Sequence, residues 1–219
     1  MFLTTRSAVI AFALVGSSAA HAGFIYDTTN TSRTTQAWVG GTSVDSDSTT
    51  NLGQWYGSAF FSDGASSVLA NQGSDFAASQ MTFAGGAQTS SSVAIALAGE
   101  SFATTRFAVT SAGSLNWIAT TNSSASGSNM ADTSITLINL TTGQYLFVYT
   151  GNSNGNGSIA LSSQYNYELR ISANAMSTSA GSTVATYNAG FEFVAVPGPS
   201  ALAMLAVGMA AARGRRRTR

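Results

Sequence analysis

Tyr165-Asn166-Tyr167-Glu168-Leu169-Arg170-Ile171 alternates large apolar side chains with polar ones over seven residues. Successive side chains of a strand point to opposite faces. A period of two therefore puts Tyr165, Tyr167, Leu169 and Ile171 on a buried face, and Asn166, Glu168 and Arg170 toward water. The same pattern recurs upstream. Val93, Ile95 and Leu97 share a face in Ser92–Ala98, as do Thr105, Phe107 and Val109 in Thr104–Thr110, and Leu115, Trp117 and Ala119 in Ser114–Thr120. Gln54–Phe61, Gln80–Ala84, Ser134–Leu140, Gln144–Tyr149, Ser158–Ser162 and Phe191–Val196 add further candidates.

About ten short strands separated by Gly, Asn, Asp and Ser clusters predict an all-β body, an antiparallel β-sandwich or jelly roll. Asn152–Gly157 reads as a hairpin loop, because Asn and Gly tolerate positive φ. Asn122–Asn129 reads as a longer polar loop, and Gly99-Glu100-Ser101 as a turn between two strands. Thr28–Asn51, rich in Ser and Thr, is open to two readings: an edge strand with loops, or a mobile N-terminal stretch. No internal repeat or linker divides the body, which is expected to span residues 23–195. The strand order from Phe102 to Ile171 is similar to that of small sandwich modules of exported bacterial proteins, the pre-peptidase C-terminal type, a resemblance that bears on fold alone.

Both ends read as processing segments. Residues 1–22 combine Arg6, an apolar run from Ser7 to Gly16 and a final Ala20-His21-Ala22. That is the layout of a secretory signal peptide, too short in its apolar part to span a bilayer. Cleavage after Ala22 leaves Gly23 first. At the other end, Val196-Pro197-Gly198-Pro199 holds the chain's two prolines, which make an extended joint. Thirteen small or apolar residues, Ser200–Ala212, follow. As a helix they cover about 20 Å, against a hydrocarbon core of about 30 Å. Arg213, Arg215, Arg216, Arg217 and Arg219 close the chain and would hold that end on the cytoplasmic side.

This three-part tail, residues 196–219, resembles the PEP-CTERM sorting signal of Gram-negative bacteria, with Gly198 where Glu is commonest. The resemblance implies export, a transient inner-membrane anchor in the form of a short hydrophobic helix, and recognition and trimming by the membrane protease exosortase. It further implies delivery to the cell surface or the extracellular matrix of a biofilm.

Composition limits what the body can do. Charged residues make up 8% of the chain, and lysine and cysteine are absent. Between residues 23 and 195, Arg33, Arg106 and Arg170 face nine acids, a net charge of −6. An acidic surface short of cations does not suit nucleic acid. The sole histidine, His21, lies in the segment read as a signal. Without His, Cys or Lys the body has no Ser-His-Asp or Cys-His triad, Ser-Lys dyad or Schiff-base lysine, and no histidine or thiolate metal site. No cofactor and no metal are expected.

Three functions remain open. The first is a non-catalytic structural or adhesive protein of the surface or matrix, touching polysaccharide through hydroxyls. The second is a carbohydrate-binding sandwich with an aromatic site drawn from Trp38, Trp55, Tyr56, Trp117 and Tyr145. Trp55 and Tyr56 are singled out, because adjacent strand residues point to opposite faces and one of the two is left outside. The third is a carboxylate-only glycoside hydrolase built from Glu100, Glu168 and Glu192, with Asp27, Asp63, Asp75 and Asp132. Asp45-Ser46-Asp47-Ser48 offers alternating oxygens that a calcium ion could use, but lacks the glycine and bidentate glutamate of an EF-hand loop.

Overall fold

A computed structural model describes residues 23–196. The expected signal peptide and the sorting tail from Pro197 to Arg219 lie outside the described residues. In chain order the strands are β1 (Phe24–Val39), β2 (Thr42–Thr49), β3 (Trp55–Ser62), β4 (Ser66–Phe76), β5 (Gln80–Ser91), β6 (Leu97–Val109), β7 (Gly113–Ala125), β8 (Met130–Asn139), β9 (Gln144–Thr150), β10 (Ser153–Leu161), β11 (Tyr167–Ser177) and β12 (Gly181–Ala195). No helix interrupts them among the described residues.

The strands form two six-stranded sheets, ordered β2-β1-β6-β11-β8-β9 and β10-β7-β12-β5-β4-β3. Every pairing is antiparallel. The sheets pack face to face over a shared core, which makes the body a β-sandwich, as the alternating pattern predicts.

Burial follows the alternation where it is strongest. Tyr167, Leu169 and Ile171 are buried in β11, Phe107 and Val109 in β6, and Leu115 and Ala119 in β7. The departures are instructive. The strands number twelve rather than about ten, and several are long, β1 running for 16 residues and β12 for 15. Residues 92–96 are not a strand: Val93 is exposed, and only Leu97 of the expected trio is buried. Of the two readings of the Ser/Thr-rich Thr28–Asn51, the edge strand holds for its second part, β2, which ends its sheet, but not for the rest. Its first part is β1, which pairs on both sides, with β2 and with β6. Asn152–Gly157 is mostly the edge strand β10, and the turn shrinks to Gly151-Asn152. Likewise β7 runs on through Ala125, which shortens the loop expected after Asn122.

The core is polarised along the strands. At one end lie aromatic rings: Phe24 meets Phe107 at 5.0 Å and Phe193 at 5.8 Å, and Phe76 meets Phe83 at 5.4 Å. Full burial of such a side chain is worth about 1.5–3 kcal/mol. Toward the other end the interior turns to small and hydroxylic residues. Ala37, Ala59, Val68 and Leu97 form a second cluster there. Thr89 bonds Thr183 at 2.5 Å and Ser66 bonds Ser91 at 2.9 Å, both pairs buried.

Both ends of the described chain leave at the aromatic pole, beside the β6–β7 turn. The Gly23 amide donates to Thr110 Oγ1 (2.9 Å), and the Val196 amide donates to the Ala112 carbonyl (3.1 Å). Gly23 is held so closely that a Cβ there would sit 2.3 Å from the Ala78 carbonyl oxygen, so only glycine fits this approach.

Candidate functional site

The body's three arginines are all engaged. Arg33 points inward from β1 and is fully buried. Its guanidinium lies 4.8 Å from the Phe76 ring centroid and 5.5 Å from that of Trp55. It donates to the Gly53 carbonyl (2.8 Å), to Ser74 Oγ (3.0 Å) and to the Asn51 carbonyl. Burial pulls its pKa down from the ordinary arginine value, and the nearby Asp75 charge opposes that shift. Arg106 and Arg170 meet on Glu168, with Arg106 Nε 2.5 Å from Oε2 and Arg170 Nε on Oε1. Glu168 is therefore not the solvated residue its place in the alternation suggests. It stands on the outer face, yet the two arginine arms cover it to 2% exposure.

Three of the other eight carboxylates have structural work of their own. Asp27 accepts from Thr29 and Asn30 and is held below the ordinary carboxylate range, chiefly by the Thr29 and Asn30 side chains. Asp63 accepts the Ala65 and Ser66 amides in the β3–β4 turn. Asp45 accepts the Ser46 amide and, at 2.8 Å, the Phe60 amide of the edge strand β3. Among the described residues no three His, Cys, Asp or Glu side chains gather as a metal site.

Glu100 has no such partner. It lies within β6 rather than in a turn, flanked by the inward Gly99 and Ser101. Burial pushes its carboxyl above the ordinary carboxylate range. The three glutamates of the hydrolase reading are far apart. Glu168 pairs with Arg106, six residues along β6 from Glu100, a distance of about 20 Å. Glu192 is exposed on the other sheet. On the row of Glu100 the next acid is Asp132, two strands away, with backbones about 10 Å apart on an open sheet face. Asp132 does not line the groove that holds Glu100.

The tryptophans divide in the same way. Trp55 turns inward onto Arg33. Its neighbour Tyr56 turns outward, is 73% exposed, and lies against the bare backbone of Gly73. Its hydroxyl accepts from Gln54 Nε2 (2.7 Å), and its row-mates are Gly73 and Ala84. Trp117 stacks on Phe147 at 5.1 Å and 7°, closing the gap between the β9 and β10 edges. Trp38, on the outer face of β1, has no ring partner and no hydrogen-bond partner among the described residues.

Trp38 lines a groove of about 390 Å³ at the small-residue end of the sandwich, together with Ala98, Glu100, Asn174 and Met176. Strand register explains the arrangement. One row across the face reads Ser43, Trp38, Ala98, Met176, Met130; the next reads Ser46, Gln36, Glu100, Asn174, Asp132. An apolar floor thus lies beside a line of amides and carboxylates. Sequence reasoning counted Trp38 among the aromatics and Glu100 among the acids, but their apposition depends on the β1–β6 register. No protein-family model, curated protein or solved structure matches this chain.

Proposed function

We propose that this protein is an exported, non-catalytic component of the cell surface or extracellular matrix. In this reading it contacts polysaccharide by hydrogen bonding and is sorted by an exosortase through residues 196–219. The observation that carries it is the disposition of charge. With Arg33 enclosed and Arg106 and Arg170 both on Glu168, the outer faces offer hydroxyls, amides, carboxylates without an ion pair and scattered apolar side chains, but no unpaired cation among the described residues. Such a surface repels polyanions such as nucleic acid and suits neutral polyols. The absence of His, Cys and Lys from residues 23–195, and the separation of the glutamates, support a binding role over a catalytic one.

Mass spectrometry of the protein recovered from cells and medium tests the sorting half of the proposal. The expected product begins at Gly23 and ends near Pro197. A soluble product that keeps its arginine tail overturns that half. For the binding half, the recovered protein should co-sediment with matrix polysaccharide and release no reducing ends from it on prolonged incubation.

A further inference from the structure

From the geometry we infer that the groove between Trp38 and Glu100 is a glycan-binding site. It would take one pyranose residue of a neutral or amino-sugar polysaccharide, the sugar ring against the indole and its hydroxyls or ammonium on Glu100 and Asn174. The inference deepens the proposed polysaccharide contact and rests on it.

Four observations converge on this groove. First, Trp38 is half-buried in the wall of the groove and has no ring, cation or hydrogen-bond partner among the described residues, whereas Trp55 lies on Arg33 and Trp117 on Phe147. An indole is an amphipathic surface, apolar on its faces and a donor at its edge, and a pyranose has the matching chemistry. Second, Ala98 is small, so the floor between Trp38 and Met176 stays open. Third, two glutamates stand on this same sheet face. Glu168 is neutralised by two arginines, whereas Glu100, partly desolvated, has no ion-pair or hydrogen-bond partner. A half-buried carboxylate without a partner is costly unless a ligand supplies donors. Fourth, the polar row holds Gln36, Glu100, Asn174 and Asp132 and no cation. Uronates and sulfated sugars are disfavoured there, and hydroxyl or ammonium donors are favoured.

Position agrees with chemistry. Trp38 pairs with Ala98 while Phe24 pairs with Val109 on the same strand, so the groove lies about 35 Å from the pole where both chain ends leave. A protein held by its tail would carry this site outward. The same face of Tyr56 lacks these features, because its row-mates are Gly73 and Ala84 and the Gln54 amide is already engaged.

The test uses the full chain, exported by a Gram-negative host and recovered as the processed protein. Its affinity for three soluble probes is measured: a neutral β-glucan, a partly deacetylated chitin oligosaccharide and alginate. The expected result is binding to the glucan or the chitin oligosaccharide and not to alginate. Affinity should fall at least tenfold in Trp38→Ala and several-fold in Glu100→Gln. Ala98→Arg, which fills the floor and hands Glu100 a cation, should abolish binding, and it decides the matter should Trp38→Ala not fold. If the wild type binds neither sugar, both the site and the polysaccharide reading are overturned. If it binds but Trp38→Ala and Ala98→Arg bind equally well, or if Tyr56→Ala removes binding in their place, only the site is overturned.

Discussion

Ser101 Oγ and Tyr187 OH are 2.7 Å apart in the interior, and this bond ties β6 of one sheet to β12 of the other. Both residues are buried, so each hydroxyl depends on the other. Tyr187→Phe leaves Ser101 desolvated and unpaired, and should lower stability by about 1–3 kcal/mol in chemical denaturation. Adding Ser101→Ala to that variant should recover part of the loss. A double variant that is simply the sum of two losses would show that the pair is not coupled.

Three phenols carry a pH prediction. Burial raises the pKa of Tyr187, Tyr26 and Tyr167 above the ordinary phenol value; Asp75 adds to the effect at Tyr26, and the Ser101 bond opposes it at Tyr187. Above about pH 10 an unfolded phenol loses its proton while the native one keeps it. The native state then binds more protons than the unfolded state, and stability falls as pH rises. Denaturation curves should be unaffected by these groups below pH 9 and move to lower denaturant from pH 10 upward. The decline should be shallower in Tyr187→Phe, relative to that variant's own neutral-pH value.

Arg33 holds the β2–β3 connection against the sandwich through the Asn51 and Gly53 carbonyls. Lysine is a point donor and cannot span both carbonyls and Ser74 while lying flat between Trp55 and Phe76. Arg33→Lys is expected to cost about 1–3 kcal/mol and to open residues 50–54 to limited proteolysis. Unchanged cleavage kinetics at that connection would argue against the latch.

What the sequence reveals and what it conceals have a common cause. Tyr165–Ile171 was legible because its inward residues are apolar and its outward ones polar. In β1 the inward residues are Thr31, Arg33, Thr35 and Ala37, so a fully buried strand face looks like a solvated loop. The same holds in β4, where Ser66, Gln72 and Ser74 face inward. Asn152–Gly157 looks like a turn because it is Gly-rich, yet Gly155 and Gly157 are where Tyr149 and Trp117 rest on bare backbone. Composition pointed to hydroxyl-rich contact and no triad. It could not bring Trp38 to Glu100, because their adjacency is a matter of register between strands about 60 residues apart.

Gly23 offers a test of the entry to β1. Any side chain there meets the Ala78 carbonyl backbone, which cannot step aside as a flexible side chain could. Gly23→Val should cost about 1–3 kcal/mol and lower the hydrogen-exchange protection of the Phe24 amide, which is bonded at 2.6 Å to that same carbonyl. Protection equal to wild type would show that the approach relaxes freely.

Because the chain enters beside Thr110 and leaves beside Ala112, the polypeptide describes a nearly closed circuit. Splicing residue 196 back to residue 23 with a short flexible linker, and opening the ring at the Gly40–Gly41 hairpin, should give a circular permutant with the same sandwich. In that molecule the Trp38 groove would sit beside the new ends, so a bulky fusion there would screen it while the rest of the surface stayed free.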